Sequence, residues 1–157
     1  MPSTLTVTLP SDRQIRLTRE FDAPRALVFE ALAKPEHVAH WLRPMGMSMP
    51  VCEADLRPGG TWRFVHRDAN ANDYSFHGQF REIVPPERIV RTFEFDGLPG
   101  HVAVETLTLD DLGGRTRLTV TSAFDSVEDR DGMLQSGMER GASESYDLLA
   151  EYLRTLA

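Results

Sequence analysis

From Val51 to Phe124 apolar residues recur at every second position, and from Ser126 to about Leu156 they recur at helical spacing. That single switch of period constrains the fold more than any other feature. Strands are predicted over Val51–Leu56, Thr61–Arg67, Ser75–Val84, Arg88–Phe95, Val102–Leu109 and Thr116–Phe124. Turn residues separate them, among them Arg57-Pro58-Gly59-Gly60, Pro85-Pro86-Glu87 and Asp96-Gly97-Leu98-Pro99-Gly100. Ser126, with Asp129 three residues on, starts the final helix as a capping pair. Only isolated glycines interrupt its apolar stripe of Leu134, Met138, Ala142, Ser145, Leu149, Tyr152 and Leu156. About thirty residues at ~1.5 Å rise would span roughly 40 Å.

Ahead of this block, Leu5, Val7 and Leu9 alternate with polar residues, and Ile15, Leu17 and Phe21 follow a turn at Pro10–Arg13, so the chain opens as a hairpin. A first short helix is expected after a cap at Asp22 or Ala23, with Pro24 at its first position. Pro35 ends that helix and opens a second, on which Val38, Trp41 and Leu42 share a face. This order makes an α+β domain over residues 1–157, not a βαβ one. A curved antiparallel sheet of about six to seven strands must bury one face, and the long helix is the only element large enough to cover it.

Composition excludes several function classes. The formal net charge is −7, so neither nucleic acid nor an anionic membrane surface is an expected partner. Cys52 is the only cysteine, so no internal disulfide can form. The N-terminus lacks the basic and apolar regions of a secretory signal, no stretch is apolar enough to cross a membrane, and a soluble cytoplasmic protein is expected. A homodimer stays open as an assembly.

An apolar pocket is expected between sheet and helix. Its strand wall would be Trp62, Phe64, His66, Phe76, Phe93 and Phe95. Met133, Met138, Ala142 and Tyr146 would face it from the helix, with Trp41 at one end. The same aromatic and methionine side chains equally suit a filled core. Glu105 is the most informative polar residue. If Leu107 and Leu109 point inward, period two sends Glu105 inward too, where a desolvated carboxyl is a hydrogen-bond donor and general-acid candidate. Gly132, Gly137 and Gly141 each cost about 1 kcal/mol in a helix interior, which implies tight packing or space left for a ligand.

His37 and His40 are spaced i,i+3, and His66 and His77 lie on adjacent strands, but no compact third ligand joins either pair. No metal site and no cofactor are therefore expected. No nucleophile elbow or phosphate loop is present, and Cys52 reads as a core or edge thiol.

Several strings in this order resemble the START-like superfamily, also described by polyketide cyclases and birch-pollen allergens. They are Arg19–Pro24, Pro35-Glu36-His37 leading to Trp41, Asp55–Gly60 before Trp62, Phe76-His77-Gly78, Pro85–Val90 and Ser136–Gly141. Within it the chain is most similar to the family named after the C-terminal domain of the activator of heat-shock-protein-90 ATPase. The resemblance implies a helix-grip fold and a small hydrophobic molecule as non-catalytic cargo or signal. It leaves open a cyclase-like or aromatase-like enzyme using Glu105, His66, His77 and Tyr146, and an accessory factor for a stress-response chaperone. Two positions depart from the family pattern. Leu42-Arg43 follow Trp41 where a second tryptophan and a glycine are common, and Ala142 replaces a frequent tryptophan, which would widen a pocket.

Overall fold

The computed structural model describes residues 4–156. The opening hairpin is β1 (Thr6–Thr8) and β2 (Gln14–Phe21), followed by α1 (Arg25–Ala33) and α2 (Pro35–Trp41). After a 3-10 turn at Pro44–Gly46 come β3 (Ser48–Ala54), β4 (Thr61–Arg67), β5 (Asp73–Val84), β6 (Arg88–Phe95), β7 (Val102–Asp111) and β8 (Thr116–Ala123). Two helices close the chain, α3 (Val127–Gln135) and α4 (Met138–Leu156).

All strands join one open antiparallel sheet in the order β1-β2-β8-β7-β6-β5-β4-β3. It has eight strands, more than the six to seven expected, because both strands of the opening hairpin join it: β1 adds an edge to β2, and β2 runs beside β8 from Gln14↔Ala123 to Phe21↔Thr116. The concave face carries Ile15, Leu17 and Phe21 from β2 and Leu118 and Val120 from β8, all buried. Val28, Ala31 and Leu32 of α1 and Val38 of α2 complete the core with Leu149 and Leu153 of α4.

One helix start differs in detail from expectation and one does not. Pro24 is itself the N-cap of α1, in extended conformation at φ −68° and ψ 150°, and neither Asp22 nor Ala23 caps it. Ser126 caps α3 as expected, its hydroxyl accepting from the Asp129 amide at 3.1 Å.

The final helix is not continuous. α3 ends at Gln135, and Gly137 takes φ +85°, a left-handed conformation that ends a helix and that glycine adopts without steric penalty. The three helix glycines thus have three different surroundings. Gly132 faces open space, Gly137 is the break, and a Cβ on Gly141 would lie 3.0 Å from Pro44 Cβ. Gly137→Ala is expected to lower stability by about 1 kcal/mol through left-handed backbone alone, since only Met45 Cε lies near its Cβ position, at 3.5 Å. Gly132→Ala should raise it by roughly 0.5–1 kcal/mol. Urea denaturation of the two variants reads both signs.

Candidate functional site

Register decides which side chains meet on the concave face. The pairs Trp62↔Gly78 and Phe64↔Phe76 link β4 to β5, Phe76↔Phe95 links β5 to β6, and Arg91↔Glu105 links β6 to β7. Ala103, Leu107 and Leu109 are buried, so the inward alternation of β7 holds and Glu105 points inward with them. The expectation of a lone desolvated carboxyl fails, however. Arg91 Nε donates to Glu105 Oε1 at 3.0 Å, and the two side chains are only 16% and 17% exposed. The guanidinium also stands 4.9 Å from the Trp62 ring and 5.9 Å from the Phe64 ring, a cation over two aromatic faces.

The predicted strand wall assembles as one connected row of rings. Trp62 meets Phe64 at 4.8 Å and Phe93 at 6.0 Å, and Phe76 meets Phe93 at 5.3 Å and Phe95 at 5.1 Å. His66 closes the row, 5.9 Å from Phe76. Gly78 makes this packing feasible. The Trp62 indole passes over it to donate to the Thr92 carbonyl at 3.1 Å, and a Cβ there would lie 1.9 Å from that oxygen and 2.5 Å from the indole nitrogen. A second aromatic group joins the helices to β2. Tyr146 stacks on Trp41 at 5.8 Å and meets Phe21 edge-on at 6.2 Å, while the Trp41 indole donates to the Ala31 carbonyl. Burial pushes the Tyr146 hydroxyl well above its ordinary pKa, and the nearby Glu105 charge adds to the shift.

Burial divides the concave face in two. In one half Phe80, Ile89, Leu107, Leu109, Leu118 and Val120 are none of them more than 5% exposed. In the other, Trp62, Phe64 and His66 are as deeply buried, but Phe76, Arg91, Phe93, Phe95, Glu105, Met133, Met138, Ala142 and Tyr146 are only half-buried. α4 shows the same division. Gly141, Ser145, Leu149 and Leu153 form its buried row, and Met138, Ala142 and Tyr146 the half-buried row beside it. α3 has no fully buried residue, and Met133 and Leu134 are the side chains it packs part-way against the core. It is tied down by polar contacts: the Arg130 guanidinium donates to the Ser11 carbonyl at 2.9 Å, and Asp129 meets His101 Nδ1 at 2.8 Å.

Among the recesses on the surface, one of about 410 Å³ lies between Arg25, Glu82, Glu87 and Asp110, and another of about 480 Å³ between Leu5, Leu134, Arg140 and Glu144. Neither is lined by the aromatic row or by the Arg91–Glu105 pair.

The histidines separate. His66 is 5% exposed and its Nδ1 has no partner. His77 lies on the opposite face, paired with Arg63 and Glu94 across the strands and bonded to Asp96, so it cannot act with His66 or Glu105. The Asp96 carboxyl is held below its ordinary pKa, first by the hydrogen bond from Arg63. His37 bonds the Tyr152 hydroxyl, and His40 stacks on the Tyr152 ring at 4.9 Å. Among the described residues no three His, Cys, Asp or Glu side chains converge to hold a metal. Cys52 donates to the Pro35 carbonyl, and burial pushes its thiol up to about 11, which disfavours the reactive thiolate at neutral pH. Among the described residues no helix is long and apolar enough to cross a membrane.

Burial holds the His66 pKa below its ordinary value near 6.5. The folded protein then binds this proton less readily than the unfolded chain, so stability is present above pH 6.5 and declines as pH falls toward the folded value. We expect the urea midpoint of the protein to drop more steeply between pH 7 and pH 5 than that of His66→Phe. Parallel curves for the two would remove His66 as the cause.

Arg91 is the residue that sequence reasoning missed. The signal was present: Ile89, Phe93 and Phe95 point inward by alternation, and Arg91 shares their parity.

Solved bacterial structures share this architecture. A Rhodobacter sphaeroides protein superposes with a TM-score of 0.90 at 25% identity, over 97% of this chain and 99% of that one. A Nitrosomonas europaea protein gives 0.83 at 26% identity over 94% and 98%. A Chromobacterium violaceum protein is 31% identical, with a TM-score of 0.80 over 91% of this chain and 98% of its own. No curated protein matches the sequence. The sequence pattern of the activator of Hsp90 ATPase homolog 1-like proteins matches residues 22–154, nearly the whole helix-grip domain, and the chain belongs to that family.

Proposed function

We propose that the protein binds a small hydrophobic molecule, without catalysis, on the half-covered part of its concave face. The observation that carries this reading is the division of burial. One half of the face is fully buried core, while the other keeps Phe76, Phe93 and Phe95 only half-buried, beside Met133 of α3 and Met138 of α4. A large apolar wall with a few placed polar groups is the usual chemistry of a small-molecule site.

Catalysis is the weaker reading. An acid–base enzyme needs two titratable groups converging in the site, whereas Glu105 is bonded to an arginine and His77 is on the far side of the sheet.

Titration with the neutral dye Nile red tests the binding reading. The dye should bind with a blue-shifted emission, and Ala142→Trp, which adds bulk in the half-buried row of α4, should weaken it at least about tenfold with circular dichroism unchanged. Equal affinity in both proteins would show that this helix face does not line the site.

A further inference from the structure

Resting on the ligand-binding reading, the Arg91–Glu105 pair also indicates which ligands the site selects. Arg91 uses Nε to bond Glu105 Oε1, and among the described residues neither its two terminal nitrogens nor Glu105 Oε2 has a protein partner. None of these three atoms is sealed from solvent without a partner either, unlike His66 Nδ1 farther along the same wall. The pair therefore presents N–H donors beside a carboxylate acceptor, at the half-covered end of the face and against the Trp62 and Phe64 rings. Its net charge is zero. An anion brought to Arg91 would meet the Glu105 carboxylate and lose its own hydration, so the guanidinium is not free to act as an anion receptor. Beyond the buried Trp62 and Phe64 rings the half-buried Phe76, Phe93 and Phe95 continue the row with mutual tilts of 27° and 32°, a surface that suits a planar ring system.

We infer that the site selects a flat, uncharged ring compound carrying a hydrogen-bond acceptor beside a donor on one edge, the pattern of a cyclic amide. The acceptor would take an Arg91 N–H, the donor would bond Glu105 Oε2, and the ring would lie on the aromatic row. A site built to bond both groups rejects an analogue lacking one, because a partly buried charge is left without its partner.

Three probes of equal ring size test this by isothermal titration: 2-quinolone, N-methyl-2-quinolone, which lacks the donor, and anionic 2-naphthoate. The expected order is 2-quinolone tightest, by about tenfold or more over each of the others. In Arg91→Met, Glu105→Leu the preference for 2-quinolone over its N-methyl form should collapse to about onefold. Glu105→Gln, which leaves the arginine uncompensated, should gain about tenfold for 2-naphthoate. Circular dichroism and thermal melting of each variant establish that it is folded. Probes that bind without discrimination, or 2-naphthoate binding tightest to the unmodified protein, would overturn the inference while leaving the binding site standing. If neither these probes nor Nile red binds, the binding reading itself falls, and the inference with it.

Discussion

Glu105→Leu alone is expected to cost about 2–3 kcal/mol of stability, and Arg91→Met with Glu105→Leu to cost less than about 1 kcal/mol. The single variant strands a guanidinium that is 16% exposed between the Trp62 and Phe64 rings, with its carboxylate partner gone. Breaking a fully buried pair typically costs 3–5 kcal/mol, and the residual exposure of this one lets water recover part of that. The double variant removes both charges and fills the space with apolar side chains of similar volume, a replacement that is often neutral or stabilising. Urea denaturation of the two singles and the double gives the coupling directly, expected at about 1.5 kcal/mol or more. Additive losses would mean that the two groups do not interact in solution.

Gly78→Ala should be still more damaging, with a loss of about 3–5 kcal/mol. The added methyl would stand 1.9 Å from the Thr92 carbonyl oxygen, a backbone atom of the neighbouring strand β6 that cannot swing aside. It would also displace the Trp62 indole, 2.5 Å away, and break the bond from Nε1 to Thr92. Overpacking accounts for roughly 1–3 kcal/mol and the unpartnered buried indole N–H for a similar amount. Thermal denaturation followed by tryptophan fluorescence reports both the stability and the ring's surroundings. A loss below about 1 kcal/mol with unchanged emission would show that β5 and β6 separate more easily than their register implies.

Much of this architecture was legible from periodicity. The strand Arg88–Phe95 and the hairpin turns fall where alternation and turn chemistry place them, and the parity of Leu107 and Leu109 correctly sends Glu105 inward. What was not legible depended on pairing between segments. Period two assigns residues to faces within a strand, but only the register of β4 against β5 shows that His66 opposes Tyr74 and that His77 therefore lies on the other face. The Arg91–Glu105 bond needs the same cross-strand information from β6 and β7. The helix break was hidden for a different reason. A glycine inside a helical pattern looks the same whether it packs closely, as Gly141 does against Pro44, or ends the helix in a left-handed conformation, as Gly137 does. The strand count moved because a three-residue run, too short to stand alone, is held as an edge by its partner β2.

The two variants above probe the site's construction, whereas its purpose depends on the half-covered face holding a molecule. Native mass spectrometry of the protein purified gently from its own host addresses that most directly. The account predicts a population carrying one non-covalent small molecule, released by organic solvent and absent from Ala142→Trp purified in the same way. Recovery of the unmodified protein and Ala142→Trp in the same bare state, with no added mass on either, would contradict it.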